Sequence, residues 1–239
     1  MSIQTRRIDY EHGGAVFEGL LAWDDATSVP RPGVLVAHTI AGRSALEENK
    51  ALALAALGYA GFAIDVYGKG TQTADMDANR DLMMALRNDR PLLQQRLVAS
   101  LSTLRAQPEV DADKMAGIGF CFGGLCVLDI ARLGEDVAGV GSFHGILSAP
   151  GNTDGNTISA KVLVLHGWDD PLATPEQIVA FADEMTTMGA DWQLHAYGHT
   201  AHAFTNPNAN DKEGGKAFSV SADRRSWRAL QNFLAEIFS

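Results

Sequence analysis

From Gly33 onward the chain alternates short, unbroken apolar runs with longer segments of helical periodicity. Gly33 to Ala37 is a continuous apolar run, as in a parallel strand covered on both faces, Ala60 to Val66 reads as the next buried strand, and Val137 to Phe143 and Lys161 to Leu165 as two further strands. Trp192 to Tyr197 reads as a further strand. Ser44 to Leu57, Pro175 to Met188 and Ser221 to Phe238 read as helices. Ser44 with Glu47 three residues on marks a helix start, and Gly58 and Gly189 mark stops. Asp75 to Gln107 is mostly helical but breaks at Asn88-Asp89-Arg90-Pro91, where the proline can open a second helix. Leu92, Leu93, Leu97, Leu101 and Leu104 give that second helix one apolar face. Before Gly33, Ile3 to Tyr10 and Ala15 to Trp23 read as two strands about a Gly13-Gly14 turn, with Asp24 to Pro32 as a loop. The alternation predicts an α/β fold, a doubly wound and mostly parallel sheet of about eight strands flanked by helices. No repeat or linker interrupts it, so one domain over residues 1–239 is expected.

The sharpest local signal is Gly117-Ile118-Gly119-Phe120-Cys121-Phe122-Gly123-Gly124. It follows the apolar run from Lys114 to Ile118 and leads into a helical segment, Leu125 to Ala131. That arrangement is strand, sharp turn and helix, with a cysteine at the apex of G-x-C-x-G. A nucleophile at such a tip sits in strained backbone, and its neighbours two before and two after must be nearly free of side chain. The helix N-terminus favours negative charge, which lowers a thiol's pKa and activates it. Left to itself, a cysteine in a glycine-rich strand end is as easily plain core.

A thiol nucleophile needs a base, and the base needs an orienting group. The strand Val162 to Leu165 runs into His166-Gly167-Trp168-Asp169-Asp170-Pro171, which places an acid at a sheet edge where sites of open α/β folds collect. Asp170 is preferred to Asp169, because it stands three after Gly167 and directly before the stiffening Pro171. After the next strand comes Gly198-His199-Thr200-Ala201-His202-Ala203-Phe204. Either His199 or His202 could serve as base, and His202, before Ala203-Phe204, is preferred. Taken alone, an Asp-Asp-Pro turn or a loop histidine is ordinary. The succession of nucleophile, acid and histidine, each after its own strand, points to hydrolysis.

Composition excludes other classes. The chain has 239 residues, 46% hydrophobic and 20% charged, ordinary for a well-cored protein. A net charge of −10 argues against nucleic acid or an anionic membrane as partner. Met1 to His12 carries charges throughout and lacks the apolar core of a signal peptide, and no run approaches a membrane span. A cytoplasmic location is expected. Cys121 and Cys126 are too few for a disulfide framework and are not spaced as C-x-x-C, which argues against a redox protein. His195, His199 and His202 do not share a helix face, so no metal site and no cofactor are expected.

These pieces together resemble the dienelactone hydrolase family of α/β-hydrolases over nearly the whole chain. The matching stretches are Gly119 to Gly124, Val36-Ala37-His38-Thr39-Ile40-Ala41-Gly42, Asp65-Val66-Tyr67, His166 to Asp170, and His202-Ala203-Phe204. The resemblance implies the α/β-hydrolase fold, Cys121 as nucleophile, His202 as base and Asp170 as its orienter. It also implies an oxyanion hole from the backbone N–H groups of Phe122 and Ile40, in keeping with the open amides of a helix start. His38, Thr39, Tyr67, His144 and Trp168 fall near strand ends and are expected to line a substrate pocket.

Two departures bear on substrate. The family places a glutamate where this chain has Thr39, and an arginine for the substrate carboxylate where it has Asn206. The expectation is therefore a broad esterase for neutral or weakly polar esters or lactones, acting as a monomer or homodimer. Activated phosphotriesters are a side reaction that the same oxyanion donors would support. The alternatives are a true dienelactone hydrolase and a ligand-binding protein that keeps the fold without the activity.

Overall fold

A computed structural model describes residues 2–239. The chain divides into two compact units, Met1–Ile118 and Gly119–Ser239. In the first, β1 (Ile3–His12) and β2 (Ala15–Asp24) form an antiparallel hairpin with His12 opposite Ala15. Gly13 and Gly14 both take positive φ (58° and 78°), the paired left-handed geometry that a two-residue hairpin turn requires. Then follow β3 (Arg31–Ala37), α1 (Ala45–Ala56) and β4 (Ala60–Ala63), with β4 parallel to β3 and antiparallel to β2. Ser44 and Glu47 close a reciprocal capping box on α1. The long helical stretch is indeed two helices, α2 (Met76–Asn88) and α3 (Arg90–Arg105), and Asp89 caps the second through the Leu92 amide.

Strand β5 (Val110–Phe120) carries the chain from the first unit into the second. It begins four residues before the apolar run, at the buried Val110; Ala112, Asp113 and Lys114 are exposed, so no continuous apolar pattern announces that stretch. After it come α4 (Phe122–Arg132), β6 (Gly139–Phe143), β7 (Lys161–Gly167), α5 (Pro175–Thr187) and β8 (Trp192–Tyr197). A two-stranded hairpin, β9 (Asn210–Asp211) with β10 (Lys216–Ala217), precedes the closing helix α6 (Val220–Ile237). Eight strands make one sheet in the order β1-β2-β4-β3-β5-β6-β7-β8, with β6, β7 and β8 parallel to one another. The winding reverses at β3, and ligand sites of such sheets collect at the carboxyl ends of strands near that point. Among the described residues no helix is long and apolar enough to cross a membrane.

The second unit is braced by one buried arginine. Arg132, at the end of α4, donates through Nε and Nη2 to the two Glu184 oxygens of α5, at 2.8 and 2.7 Å. Its Nη2 also reaches the Leu147 carbonyl, and its Nη1 the Ser148 carbonyl and the Asp129 carboxylate. Such a cluster is retained only if every charge has partners, because an uncompensated buried charge costs far more than the pair contributes. Arg132→Met leaves Asp129 and Glu184 without this cation, so a loss of about 3–5 kcal/mol in unfolding free energy is expected. A thermal melt reads it as a lower Tm, and an unchanged Tm would show that the cluster has no net worth.

Candidate active site

Strand β5 ends at Phe120, and Cys121 turns the chain into α4 with φ 56° and ψ −113°. A non-glycine residue in that region is strained and persists only where its surroundings hold it. Here the Cys121 N–H donates to the Phe143 carbonyl at 3.0 Å, and the Cys121 carbonyl accepts from the Gly124 N–H at 3.0 Å. The flanking glycine is sterically required: a Cβ on Gly119 would lie 2.0 Å from the Gly123 carbonyl oxygen. Phe122 is the first residue of α4, so its amide belongs to the turn that has no intrahelical acceptor.

The loop after β7 carries the acid. Asp169 is exposed, whereas Asp170 is buried and aims its carboxylate inward. Asp170 Oδ1 accepts from the Leu172 N–H at 2.8 Å, and Oδ2 accepts from His202 Nδ1 at 2.7 Å. His199 is exposed; His202 is 2% exposed. The backbone of His202 is held on both sides by the β9–β10 hairpin, its N–H donating to the Gly215 carbonyl and its carbonyl accepting from the Ala217 N–H. The two loops meet because Gly167 has no side chain: a Cβ there would lie 2.6 Å from the Thr200 carbonyl and 2.7 Å from that of Ala201.

Charge then settles on the imidazole. Burial opposes a proton on His202, but the Cys121 thiol and the Asp170 carboxylate outweigh it and lift its pKa to about 10. Cys121 acts on the ring both through charge and through a side-chain hydrogen bond, as a base beside a thiol would. Neighbouring His166 is pushed the other way, chiefly by burial and also by the charge on His202, with Asp170 opposing.

The other expected residues divide by unit. In the second, His144 is buried with its ring centroid 5.0 Å from that of His202. Trp168 is 46% exposed beside the acid loop, edge-on to His166. In the first, His38 donates from Nδ1 to the Thr39 carbonyl and accepts at Nε2 from the Val66 N–H, which fixes a neutral tautomer. Thr39 accepts at Oγ1 from the Ala41 N–H and donates its own N–H to buried Glu47. Tyr67 donates its hydroxyl to the Ile40 carbonyl, so that turn is pinned from three sides. The hairpin behind His202 was not expected from the pattern of the chain; its only signal is Gly214-Gly215 in a polar run. Among the described residues no group of three or more His, Cys, Asp or Glu could hold a metal ion.

The dienelactone hydrolase family model matches residues 17–238. The solved structure m3DLH superposes with a TM-score of 0.95 at 39% identity, covering 99% of each chain. The dienelactone hydrolase-like promiscuous phosphotriesterase P91, from metagenomic libraries, gives 0.93 at 37% identity, again covering 99% of each. A probable 2-oxo-3-(5-oxofuran-2-ylidene)propanoate lactonase of Bradyrhizobium sp. is 27% identical over 217 residues, 85% of this chain and 86% of that protein. With its eight-stranded, mostly parallel sheet and its match over nearly the whole length, this α/β-hydrolase-fold chain belongs to the dienelactone hydrolase family and is a hydrolase of ester or lactone bonds.

Proposed function

We propose that the chain hydrolyses carboxylic esters or lactones through a covalent thioacyl-enzyme on Cys121, with His202 as acid and base and Asp170 as its orienter. The observation that carries this reading is a buried imidazole bonded at Nδ1 to the Asp170 carboxylate, with its pKa raised by Cys121 and Asp170. The Cys121 thiolate adds to the carbonyl carbon, and the π electrons move to oxygen. The Phe122 N–H receives that oxyanion, with the Ile40 N–H as the second donor that the family resemblance implies. Each such donor contributes about 3 kcal/mol to the transition state. Collapse breaks the bond to the leaving oxygen, which takes the proton from His202 Nε2. The neutral ring then removes a proton from water as its oxygen adds to the thioester, and a second collapse breaks the C–S bond, returning the thiolate to Cys121 and releasing the carboxylic acid. The imidazolium is restored, and no group outside the chain is needed.

Neutral esters fit best. Asn206, where the family has its carboxylate-binding arginine, is occupied locally: its N–H donates to the Ala203 carbonyl and its side chain accepts from the Asn208 N–H. No cation is offered there to an acidic substrate. A second activity, toward activated aryl phosphotriesters, is favoured by the 37% identical relative described as a promiscuous phosphotriesterase. The thiolate would displace aryloxide from phosphorus, and water activated by His202 would release the phosphodiester.

With p-nitrophenyl acetate, the wild type is expected to give a burst and then steady turnover. Cys121→Ala should lose the burst and about a thousandfold or more of the rate. Steady hydrolysis that survives in a folded Cys121→Ala variant would remove Cys121 as nucleophile. The pH profile has a definite sign. With an alkyl ester such as methyl butyrate, whose alkoxide leaves only when the charged ring protonates it, kcat/KM should hold through neutral pH and fall as pH passes about 10. Asp170→Asn removes one of the charges holding that proton, so the alkaline limb should move down by about 1–3 units. An unmoved limb would mean that Asp170 does not act on the ionisation of His202.

A further inference from the structure

His144 follows β6 in a conformation that a merely packed residue would not need. It is buried, is not glycine, and has φ 37°. Backbone strain of this kind survives where the surroundings over-determine it, and it clusters at functional sites. The surroundings here are those of the nucleophile. The preceding carbonyl, that of Phe143, accepts the Cys121 N–H, and the Ile146 N–H points back to the Cys121 carbonyl at 3.4 Å. Between them Gly145 lies so close to the elbow helix that a Cβ on Gly124 would sit 2.6 Å from its Cα. The His144 N–H donates to the Leu165 carbonyl of β7 at 2.8 Å.

The side chain points from this turn into the histidine loop. Its Nε2 is 2.8 Å from the buried Thr205 hydroxyl, and its ring stands edge-to-face to Phe204, with centroids 5.1 Å apart. It meets the ring of His202 in the same manner, at 5.0 Å and 68°. One residue therefore touches the strand that leads to the acid, the turn that brackets the nucleophile's backbone, and the imidazole itself.

We propose that His144 is a positioning residue for the reaction: its ring, anchored on Thr205, holds the His202 imidazole in register with the Cys121 turn. The proposal rests on the reading of Cys121, His202 and Asp170 as the catalytic unit. Asp170 fixes His202 through a single hydrogen bond, which leaves the ring free to tilt about that contact. Nε2 must nevertheless serve the leaving oxygen and then a water, and a displacement of an ångström at such an atom costs heavily in rate. Edge-to-face packing against His144 removes the tilt. The contact also sets an aromatic ring edge-to-face beside the His202 imidazole, an arrangement that favours a cation there. The charge belongs on His202, which has Cys121 on the elbow and Asp170 on the β7 loop as its anionic partners. His166 of β7 is a further titratable group nearby, itself lowered chiefly by burial and also by the charge on His202, with Asp170 opposing, while Thr205 and Phe204 are uncharged.

The test is His144→Asn, because asparagine tolerates positive φ and keeps a polar group toward Thr205 while losing the ring. With p-nitrophenyl acetate, kcat should fall by about tenfold to a hundredfold. KM should stay within about threefold, since ground-state binding is untouched. The alkaline limb of kcat/KM with methyl butyrate should move to lower pH, which a purely structural residue would not cause. Thr205→Val, which releases the anchor and leaves both rings, should shift the same readouts by less. Wild-type kcat and an unmoved limb in folded His144→Asn would overturn the proposal. Should that variant not fold, wild-type values in Thr205→Val would overturn it instead. Turnover that persists in Cys121→Ala would sink the underlying catalytic reading, a failure distinct from that of His144.

Discussion

Keeping a positive charge on an imidazole removed from water is the constraint on which the site depends. A ring as buried as that of His202 would shed its proton if left to desolvation alone. Asp170 and Cys121 reverse that outcome, and neither could do so from a movable position. The Asp170 carboxylate has one oxygen committed to the Leu172 amide, which leaves the other aimed at Nδ1. The backbone of His202 is paired on both sides, so the ring cannot follow a drifting carboxylate. Backbone geometry in three loops thus sets the charge state of one side chain.

Those loops hold their places because they approach by backbone, without intervening side chains. The Gly119 and Gly167 positions admit no Cβ: one abuts the elbow carbonyl of Gly123, the other the carbonyls at the head of the histidine loop. Backbone contacts vary little with rotamer and cost no side-chain entropy, which suits a site that must be ready before substrate arrives. The parallel strands β6, β7 and β8 supply the frame, each delivering its loop at the same sheet edge. Farther out, Arg132 ties α4 to α5 and to the carbonyls of Leu147 and Ser148, so the helix that begins after Cys121 is also fixed at its other end.

Most elements are legible from the chain because their signals are local. The capping residues Ser44 and Glu47, the break at Asp89 to Pro91 and the Gly13-Gly14 turn each act within four residues, and the structure shows all three where the pattern puts them. The errors are also physical. A strand to Val66 is expected, but β4 ends at Ala63, and the buried Tyr10 hydroxyl engages both the N–H and the carbonyl of Asp65 instead. The strands β9 and β10 have no apolar alternation to announce them. They exist because the backbone of His202 pairs beside Lys216.

By itself the sequence determined the order of strands and helices, the glycines that a sharp turn after β5 demands, and a thiol, acids and histidines placed after strands in an order that suits hydrolysis. Turn position favoured Asp170 over Asp169 and His202 over His199, but which way a loop side chain faces is not written in the local pattern. Tertiary structure decided that: Asp170 and His202 turn inward and meet at 2.7 Å, while Asp169 and His199 face water. It also decided the charge on His202, the placing of His144 against it, and the hairpin behind it. Each of these depends on desolvation and on distances between residues far apart in the chain, and neither quantity is written in any local pattern.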